Sequence, residues 1–298
     1  MLRTIYKSVV IPKALFGCET WNHCASSDMQ HIETAHRFCV KHMQRFSKYT
    51  NTMFSYLTID LVPVQLEIDY RRLLMCGQLC RLDASYLAKQ IFAHRLVRFV
   101  NLDRQSRGFT PDMFRLLQKY ELVQYLEVFC TTGVFPSKFS WERTLKSMIF
   151  HKWRSNTLKS LMQEQSDIPV SNALGESGCS PVWQLAARNR RLHRVCGELL
   201  ACLGKVNSKP FPQKCKKCNL VVDNLAVHLL CLCDVNEMYR KRIWDSIIDV
   251  GGVGSFARMI GLRGIEQCSY MICMALEQVD SCELFSPSMA FALNMCIK

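Results

Sequence analysis

QHIETAHRFCVKHMQRF, residues 30–46, is the stretch that indicates the fold class of this chain most directly. Its apolar residues recur at steps of three and four, so they fall on one face of an α-helix. These residues are Ile32, Ala35, Cys39, Met43 and Phe46. Ser27 and Asp28 lie just before the stretch and can cap its amino terminus. The pattern predicts a capped amphipathic helix that buries this apolar stripe.

Helical patterns continue through most of the first 165 residues. We predict a second helix over residues 66–81, a helix start at residues 110–112 (TPD), and one capped amphipathic helix from Ser140 onward. Residues 49–63, YTNTMFSYLTIDLVP, are β-branched and aromatic, which fits either an extended segment or a short helix. The fold class that these patterns predict is mainly α.

A change of composition follows these helices. Residues 166–181, SDIPVSNALGESGCSP, mix Gly, Pro, Ser and Asn without periodicity, which is typical of a linker. Beyond the linker, one helical face is again apolar, and Arg190 and Arg194 project from the opposite face. We expect this basic helix to end at residues 208–212, SKPFP, because proline cannot continue it.

Composition excludes several classes of protein. With 49% hydrophobic residues in a chain of 298, a collagen-like or wholly disordered protein is excluded. The longest uncharged stretch, residues 284–297, has 14 residues, and a membrane helix needs roughly 18 or more apolar ones. Lys7 and Lys13 interrupt the region where a signal peptide would be apolar. We therefore expect an intracellular protein, nuclear or cytoplasmic, that is not secreted and has no membrane span.

The charge of the chain is strongly positive and unevenly distributed. Its 38 Lys and Arg exceed its 25 Asp and Glu, and the net charge of +13 makes nucleic acid the first partner to consider. Residues 186–218 hold nine basic residues and a single acid, Glu198. The candidate nucleic-acid-binding residues are Arg188, Arg190, Arg191, Arg194, Lys214, Lys216 and Lys217. The alternative interpretation is a basic helix face that contacts only solvent.

Most of the 17 cysteines lie in apolar stretches and are predicted to be buried free thiols. The exception is CKKCNLVVDNLAVHLLCLC, where two residues separate Cys215 from Cys218, and His228 and Cys233 follow. A Cys-x2-Cys turn brings two thiolates to one ion, and a His and a Cys one turn apart complete a tetrahedron. This spacing predicts a structural zinc ion, because four protein ligands leave no open position for water.

Two alternatives to this ligand set stay open. Cys231 can replace Cys233 as the fourth ligand. Any single Cys or His of the set can also be an ordinary core residue, and only the compact set of four beside a basic run favours zinc. Lys214, Lys216 and Lys217 would lower the pKa of the thiols and offset the negative charge of three thiolates.

The sequence contains no catalytic constellation. Two-metal polymerases and nucleases need carboxylates brought together, yet no two acidic residues of this chain are adjacent. Glu67 and Asp69 flank an apolar residue, and we interpret them as capping or surface residues. GGVGS, residues 251–255, lacks the lysine of a phosphate-binding loop and is interpreted as a turn. We predict that the chain is not an enzyme.

Three blocks together resemble the C-terminal third of the reverse transcriptase polyprotein of LINE-type non-LTR retrotransposons. The first is IYKSVVIPKALFGCETWN, residues 5–22, whose ending FGCETW resembles the family's Tyr/Phe-Gly-x-Glu-x-Trp between palm and thumb. The second, residues 32–43 and 66–82, resembles the thumb and post-thumb helices. The third, residues 215–244, resembles the family's zinc-knuckle-like segment, in which a histidine-to-cysteine gap of four favours Cys233 over Cys231.

The resemblance implies a domain order. This order is a thumb-like helical region (1–100), a helical connector (101–165), the linker (166–181), a basic helix with a zinc-binding module (182–250), and a tail of unknown packing (251–298). In this family the polymerase carboxylates, which include an adjacent Asp-Asp pair, lie before the first block. We therefore expect a non-catalytic fragment whose Met1 falls inside the parent reading frame.

The function that follows from the charge, the zinc motif and the resemblance is binding of RNA or DNA through the basic zinc module. The alternative is a zinc-stabilised protein-interaction module, or a remnant without a selected function. The sequence does not indicate an oligomeric state.

Overall fold

The computed structural model describes residues 2–21, 26–44, 46, 48, 50–101, 108–164, 213–222, 227–262, 267–268 and 271. The α-helices are α1 (Leu2–Ile5), α2 (Ile11–Ala14), α3 (Ser26–Met43), α4 (Thr52–Thr58), α5 (Val64–Arg81), α6 (Leu87–Asn101), α7 (Phe109–Lys119), α8 (Val123–Thr132), α9 (Lys138–Leu145), α10 (Lys152–Glu164) and α11 (Glu237–Gly261). Tyr6–Val10, Lys146–His151 and His228–Leu232 are π-helical turns, and Cys18–Thr20 and Asp234–Asn236 are 3-10 turns. Within these ranges the strands are β1 (Gln213–Lys214) and β2 (Val221–Val222). The predicted fold class, mainly α, is confirmed.

The chain divides into two compact units. The first, here called the helical unit, comprises Thr4–His36 and Val62–Asn156. The second comprises Met1–Arg3, Arg37–Leu61 and Thr157–Lys298. Within the second unit, residues 213–261 are here called the Cys/His module. Throughout the described ranges, every helix falls short of the combined length and hydropathy that a membrane span requires.

Helix α3 corresponds to the first predicted helix, and the predicted stripe lies mostly on its covered side: Phe46, just after the helix, is buried, and Ile32, Cys39 and Met43 are half-buried. His36 and Val40 are buried, whereas Ala35 of the predicted stripe is exposed. The polar His36 can lie inward because both ring nitrogens have partners. Nε2 donates to the Val62 carbonyl at 2.9 Å, which leaves Nδ1 to accept from the Tyr6 hydroxyl at 2.7 Å. Apolar periodicity misses His36 as a buried member of this face because it counts histidine as polar.

Residues 49–63, which the sequence left open, contain helix α4. Asn51 caps the helix, since its side-chain oxygen accepts hydrogen bonds from the backbone N–H groups of Met53 at 2.8 Å and Phe54 at 3.2 Å. The buried Gln44 amide donates to the Ser55 carbonyl at 2.8 Å. Phe54 and Tyr56 of this segment are therefore buried in a short capped helix.

The FGCETW stretch forms a tight turn onto a small apolar cluster of the helical unit. Gly17 has a φ of 71°, in the left-handed region that favours glycine. Cys18 is buried with Val64 and Ile68, and Trp21 packs partly against them. Burial raises the pKa of the Cys18 thiol to about 11, so this cysteine is a neutral core residue.

Helix α5 packs against α6, α7 and α9 in the helical unit. Trp141 of α9 is fully buried, and its indole Nε1 donates to the Leu73 carbonyl of α5 at 2.9 Å. The close approach of the two helices requires a glycine, because a Cβ at Gly77 would lie 2.5 Å from the Trp141 ring. One apolar cluster includes residues of α5, α6, α7, α8 and α9. It therefore joins residues that the sequence assigns to separate regions, 1–100 and 101–165.

Asp69 is where the structure corrects the interpretation of a capping or surface residue. Its side chain is fully buried on α5. The carboxylate accepts hydrogen bonds from the Lys119 ammonium at 2.6 Å, the Tyr120 hydroxyl at 2.7 Å and the Gln65 amide at 2.6 Å. Burial raises the pKa of Tyr120, and the nearby Asp69 charge raises it further. Two of these partners lie 50 and 51 positions away, which local sequence patterns do not reveal.

The helix predicted from Ser140 begins two residues earlier. Helix α9 starts at Lys138, because Ser137 caps it by accepting a hydrogen bond from the Ser140 N–H at 3.2 Å. The π-helical turn and α10 then continue the helix to Glu164. The linker at 166–181 and the basic helix that precedes residue 212 lie outside the described residues.

Helix α11 passes through residues 251–255, which the sequence predicts to be a turn. The backbone departs from helical geometry at Gly252, where φ is 71° and ψ is 174°. The range α11 therefore consists of two helical stretches that meet at a kink at Gly252, inside the predicted turn. This helix also crosses the predicted boundary between residues 250 and 251.

Candidate metal centre

A short hairpin positions the first two cysteines of the Cys/His module. Strands β1 and β2 are antiparallel, with Lys214 opposite Val221. The Cys215 N–H donates to the Leu220 carbonyl at 2.8 Å, and the Asn219 N–H donates to the Cys215 carbonyl at 2.9 Å. Asn219 has a φ of 62°, a left-handed conformation that asparagine tolerates better than most residues. The tight turn of the Cys-x2-Cys motif is thus built by local hydrogen bonds.

A π-helical turn positions the second pair of candidate ligands. His228 begins this turn, and Cys233 follows it in extended conformation, with φ −69° and ψ 118°. The Cys233 N–H donates to the His228 carbonyl at 2.6 Å, which holds the two residues on one turn of backbone. The gap of four residues between His228 and Cys233 is what allows this bond.

The structure brings all four predicted ligands together. One ligand atom from each of Cys215, Cys218, His228 and Cys233 lies within 4.8 Å of the others. Nε2 of His228 is 3.0 Å from Sγ of Cys218. Cys215, His228 and Cys233 are buried, and Cys218 is half-buried. A tetrahedral ion with metal–sulfur bonds of about 2.3 Å needs sulfur atoms about 3.8 Å apart, so this cluster can hold a metal ion.

The backbone favours negative charge at Cys215. Burial raises the pKa of its thiol, but hydrogen bonds from the N–H groups of Cys218 and Lys217 and from neighbouring thiols lower it more. The net result is a lowered pKa. Burial raises the pKa of Cys233, and the other thiols of the cluster raise it further. A divalent cation would reverse that effect at Cys233, because it stabilises the thiolate form.

The three candidate lysines of this module differ in their surroundings. Lys214 and Lys216 are exposed, whereas Lys217 is half-buried. The Lys217 ammonium donates to the Asn236 side-chain oxygen at 2.8 Å and lies 5.7 Å from the centre of the Tyr239 ring. Lys217 therefore contacts other residues of the module, which its place in the basic run does not indicate.

Asn236 is a residue of the centre that sequence reasoning missed. It is fully buried, and its amide donates to the Leu229 carbonyl at 2.8 Å while its oxygen accepts from Lys217. It thus ties the Cys-x2-Cys turn to the π-helical turn. A single asparagine three residues after the last cysteine belongs to no motif, so only the structure reveals this role.

Cys231, the alternative fourth ligand, does not belong to the cluster. Its sulfur lies 3.3 Å from Sγ of Cys268, and the four-residue cluster contains Cys233 instead. The two cysteines point to different partners because one intervening residue changes their direction. Of the other predicted site residues, Arg188, Arg190, Arg191 and Arg194 lie outside the described residues.

Comparison with known proteins assigns no family to this chain: no family model, no curated protein and no solved structure matches it. The geometry of the cluster and the charges around it are therefore the features that indicate a function.

Proposed function

We propose that Cys215, Cys218, His228 and Cys233 bind one structural zinc ion, and that the chain binds RNA or DNA through the basic surface beside it. The observation that carries this proposal is the convergence of four ligand atoms within 4.8 Å, next to exposed lysines. Zinc is the metal for which three thiolates and one imidazole in tetrahedral arrangement are typical. With no open position, the ion stabilises the fold and performs no chemistry.

The charge of the site supports an anionic partner. Three thiolates and a neutral imidazole around Zn²⁺ leave one net negative charge, which the neighbouring lysines exceed. Lys214 and Lys216 have exposed ammonium groups, and the preceding segment adds Arg190 and Arg194. Such cations bind phosphates, and the released counterions make the affinity fall with salt.

The resemblance to LINE-type reverse transcriptases supports the same function. In that family the polymerase carboxylates lie before the part that this chain resembles, so we expect the purified chain to extend no primer on an RNA template with Mg²⁺ or Mn²⁺. Template-dependent synthesis that persists through stringent purification would contradict this expectation.

The experiment that tests the proposed function combines metal analysis with salt-dependent binding. We expect one zinc per purified chain, and binding to a labelled oligonucleotide that weakens steeply as salt rises. Lys214→Ala/Lys216→Ala should flatten the salt dependence, and adding Arg190→Ala/Arg194→Ala should flatten it further. The matched control is Arg95→Ala/Arg98→Ala, which removes two exposed charges of α6. Absence of zinc from a folded preparation would refute the zinc site. Absence of oligonucleotide binding in dilute salt would refute the nucleic-acid-binding function.

A protein-interaction module is the second candidate. It is favoured by exposed apolar side chains of the Cys/His module: Leu220, Val221, Leu232, Val235 and Met238 are 58, 62, 64, 55 and 55% exposed. An apolar interface gives concentration-dependent association that salt does not weaken, which sedimentation velocity measures. Leu220→Ser/Val221→Ser should remove such association and leave oligonucleotide binding unchanged.

A further inference from the structure

The helical unit has a second basic surface, which the sequence analysis did not identify. It lies on the exposed side of α9 and the following π-helical turn. The exposed cationic or titratable side chains are Lys138, Arg143, Lys146 and His151. None of the four has an acidic partner within the described part of the chain.

The acid of this segment, Glu142, lies four residues from both Lys138 and Lys146 along the helix. Glu142 is half-buried, and its charge acts on the Tyr70 hydroxyl of α5: burial raises the pKa of Tyr70, and Glu142 adds to the effect. The three exposed cations Lys138, Arg143 and Lys146 outnumber this one half-buried carboxylate, and no ion pair among the described residues joins it to them, so the outward side of α9 is net positive. Ser140 and Ser147 are exposed on the same segment and offer small hydroxyl donors.

An exposed aromatic ring lies at the start of this surface. Phe139 is 75% exposed, so most of its side chain contacts solvent. Phe139, Arg143 and Lys146 follow steps of four and three, so they form one row along the helix. From residue 138 to residue 151 the helix is about 20 Å long, enough for several nucleotides.

We propose that the exposed face of residues 138–151, with Phe139, Arg143 and Lys146 at its centre, binds single-stranded nucleic acid. The cations and hydroxyls contact successive phosphates, and Phe139 stacks on an unpaired base. A membrane surface does not fit, because an interfacial helix needs a continuous apolar face and here Phe139 stands among polar residues. A duplex fits less well, because its bases are already stacked. This inference deepens the proposed function by adding a second contact surface with evidence of its own.

The test measures fluorescence anisotropy of a labelled single-stranded oligonucleotide with the full zinc-loaded chain over a salt series. Arg143→Ala/Lys146→Ala should weaken binding about tenfold in dilute salt and reduce the salt slope by about 1.4, since each contact on a single strand contributes about 0.7. Phe139→Ala should weaken binding about tenfold and leave the slope unchanged, because stacking releases no counterions. All of these side chains are exposed, so circular dichroism should be unaltered.

Two control variants separate this inference from general charge effects and from the Cys/His module. Arg95→Ala/Arg98→Ala should change affinity by no more than about twofold. If it matches Arg143→Ala/Lys146→Ala, the face on α9 has no special role and the inference is wrong. If Lys214→Ala/Lys216→Ala weakens binding and the α9 variants do not, the inference fails while the proposed function stands. If the α9 variants weaken binding and Lys214→Ala/Lys216→Ala does not, the α9 surface is the binding site and the proposed role of the module in binding is refuted.

Polyglutamate serves as a second probe. An acidic protein partner would make the chain bind polyglutamate as tightly as the oligonucleotide, with no effect of Phe139→Ala. That outcome would overturn the inference. Preference for the oligonucleotide that disappears in Phe139→Ala would support it, because only bases can stack on the ring.

Discussion

The helical unit and the Cys/His module differ in what their buried side chains are. In the described part of the helical unit, one cluster contains fourteen buried residues, most of them aliphatic or aromatic, with Trp141 among them. In the described part of the module, the cluster around the ligands contains three buried residues, and two of these are Cys215 and Cys233. Burial of apolar surface can stabilise the first cluster, whereas the cluster around the ligands has little apolar surface to bury. The other buried apolar side chains of the module lie outside this cluster, at Leu230, Ile243, Ile247 and Met259.

Cysteine residues therefore have different surroundings and different roles in the two regions. Cys18 lies among aliphatic side chains of the helical unit, and burial raises the pKa of its thiol. Cys215 lies among other ligand atoms, and backbone N–H groups help to lower its pKa. A cysteine in the first setting is a small apolar residue, and in the second it is prepared to bind a cation.

The largest expected effect is that of metal removal. Zinc binding contributes on the order of 10 kcal/mol to the folding of comparable small modules. A strong chelator should therefore unfold the Cys/His module while α5, α7 and α9 remain folded. Hydrogen exchange read by mass spectrometry should show loss of protection at residues 213–261 and unchanged protection at 64–150. Equal loss of protection in both regions would show that they do not fold independently. No loss of protection in either region would show that zinc does not stabilise the module.

The next effect is that of single cysteine substitutions in the module. Cys233→Ser should lower zinc affinity by more than about 100-fold, because it replaces a direct ligand and not merely an outer-shell partner. Cys231→Ser is the matched control, since its sulfur contacts Cys268 and not the cluster. Zinc content after competition with a chelator measures both. A loss confined to Cys231→Ser would make Cys231 the ligand.

A glycine substitution tests the packing of the helical unit. Gly77→Ala should destabilise it by about 1–3 kcal/mol, because the new methyl group meets the Trp141 ring at 2.5 Å. This clash exceeds the gain of up to about 1 kcal/mol that alanine brings to a helix. Urea unfolding followed by tryptophan fluorescence measures the change. Gly254→Ala, whose Cβ meets no described atom within 4 Å, should be neutral or slightly stabilising. Equal stability of the two variants would contradict the packing argument.

The smallest effect is the pH dependence that His36 gives to the helical unit. Burial lowers the pKa of His36 below 6.5, although the Val62 carbonyl, Glu33 and Glu67 oppose the shift. The unfolded chain then binds the proton first, so stability is greatest above pH 6.5 and falls as the pH drops through the native pKa. Urea unfolding at pH 7.5 and 5.5 measures the free energy of unfolding at each pH. His36→Gln should reduce the difference between the two values. His31 is exposed, so His31→Gln should leave this difference unchanged. If wild type and His36→Gln lose the same free energy of unfolding between pH 7.5 and 5.5, His36 is not the cause.

Local signals in the sequence were sufficient for much of the fold. Steps of three and four predicted α3, the second predicted helix at residues 66–81 corresponds to α5, and the capping residues placed the start of α9 within two positions. The sequence did not decide between an extended segment and a short helix for residues 49–63, because β-branched and aromatic side chains suit both. The cap at Asn51, followed by burial of Phe54 and its neighbours, decides for a helix.

The candidate metal centre was predictable because its chemistry is encoded in spacing. Two cysteines three positions apart and a His/Cys pair five positions apart can reach one ion whatever the surrounding fold. The same spacing could not decide between Cys231 and Cys233, since that choice depends on the direction of the backbone after the π-helical turn. It also could not show that Lys217 is held by Asn236 while Lys214 and Lys216 face solvent.

The sequence by itself therefore determined the helical class, the position of the main helices and the set of candidate ligands, because each depends on residues close together along the chain. Only the tertiary structure decided that His36 and Asp69 lie inside and that the basic row of α9 lies outside. The physical reason is that a polar group can be buried only where a partner satisfies it. The partners of Asp69 include Lys119 and Tyr120, which reach it only after α5 and α7 have packed.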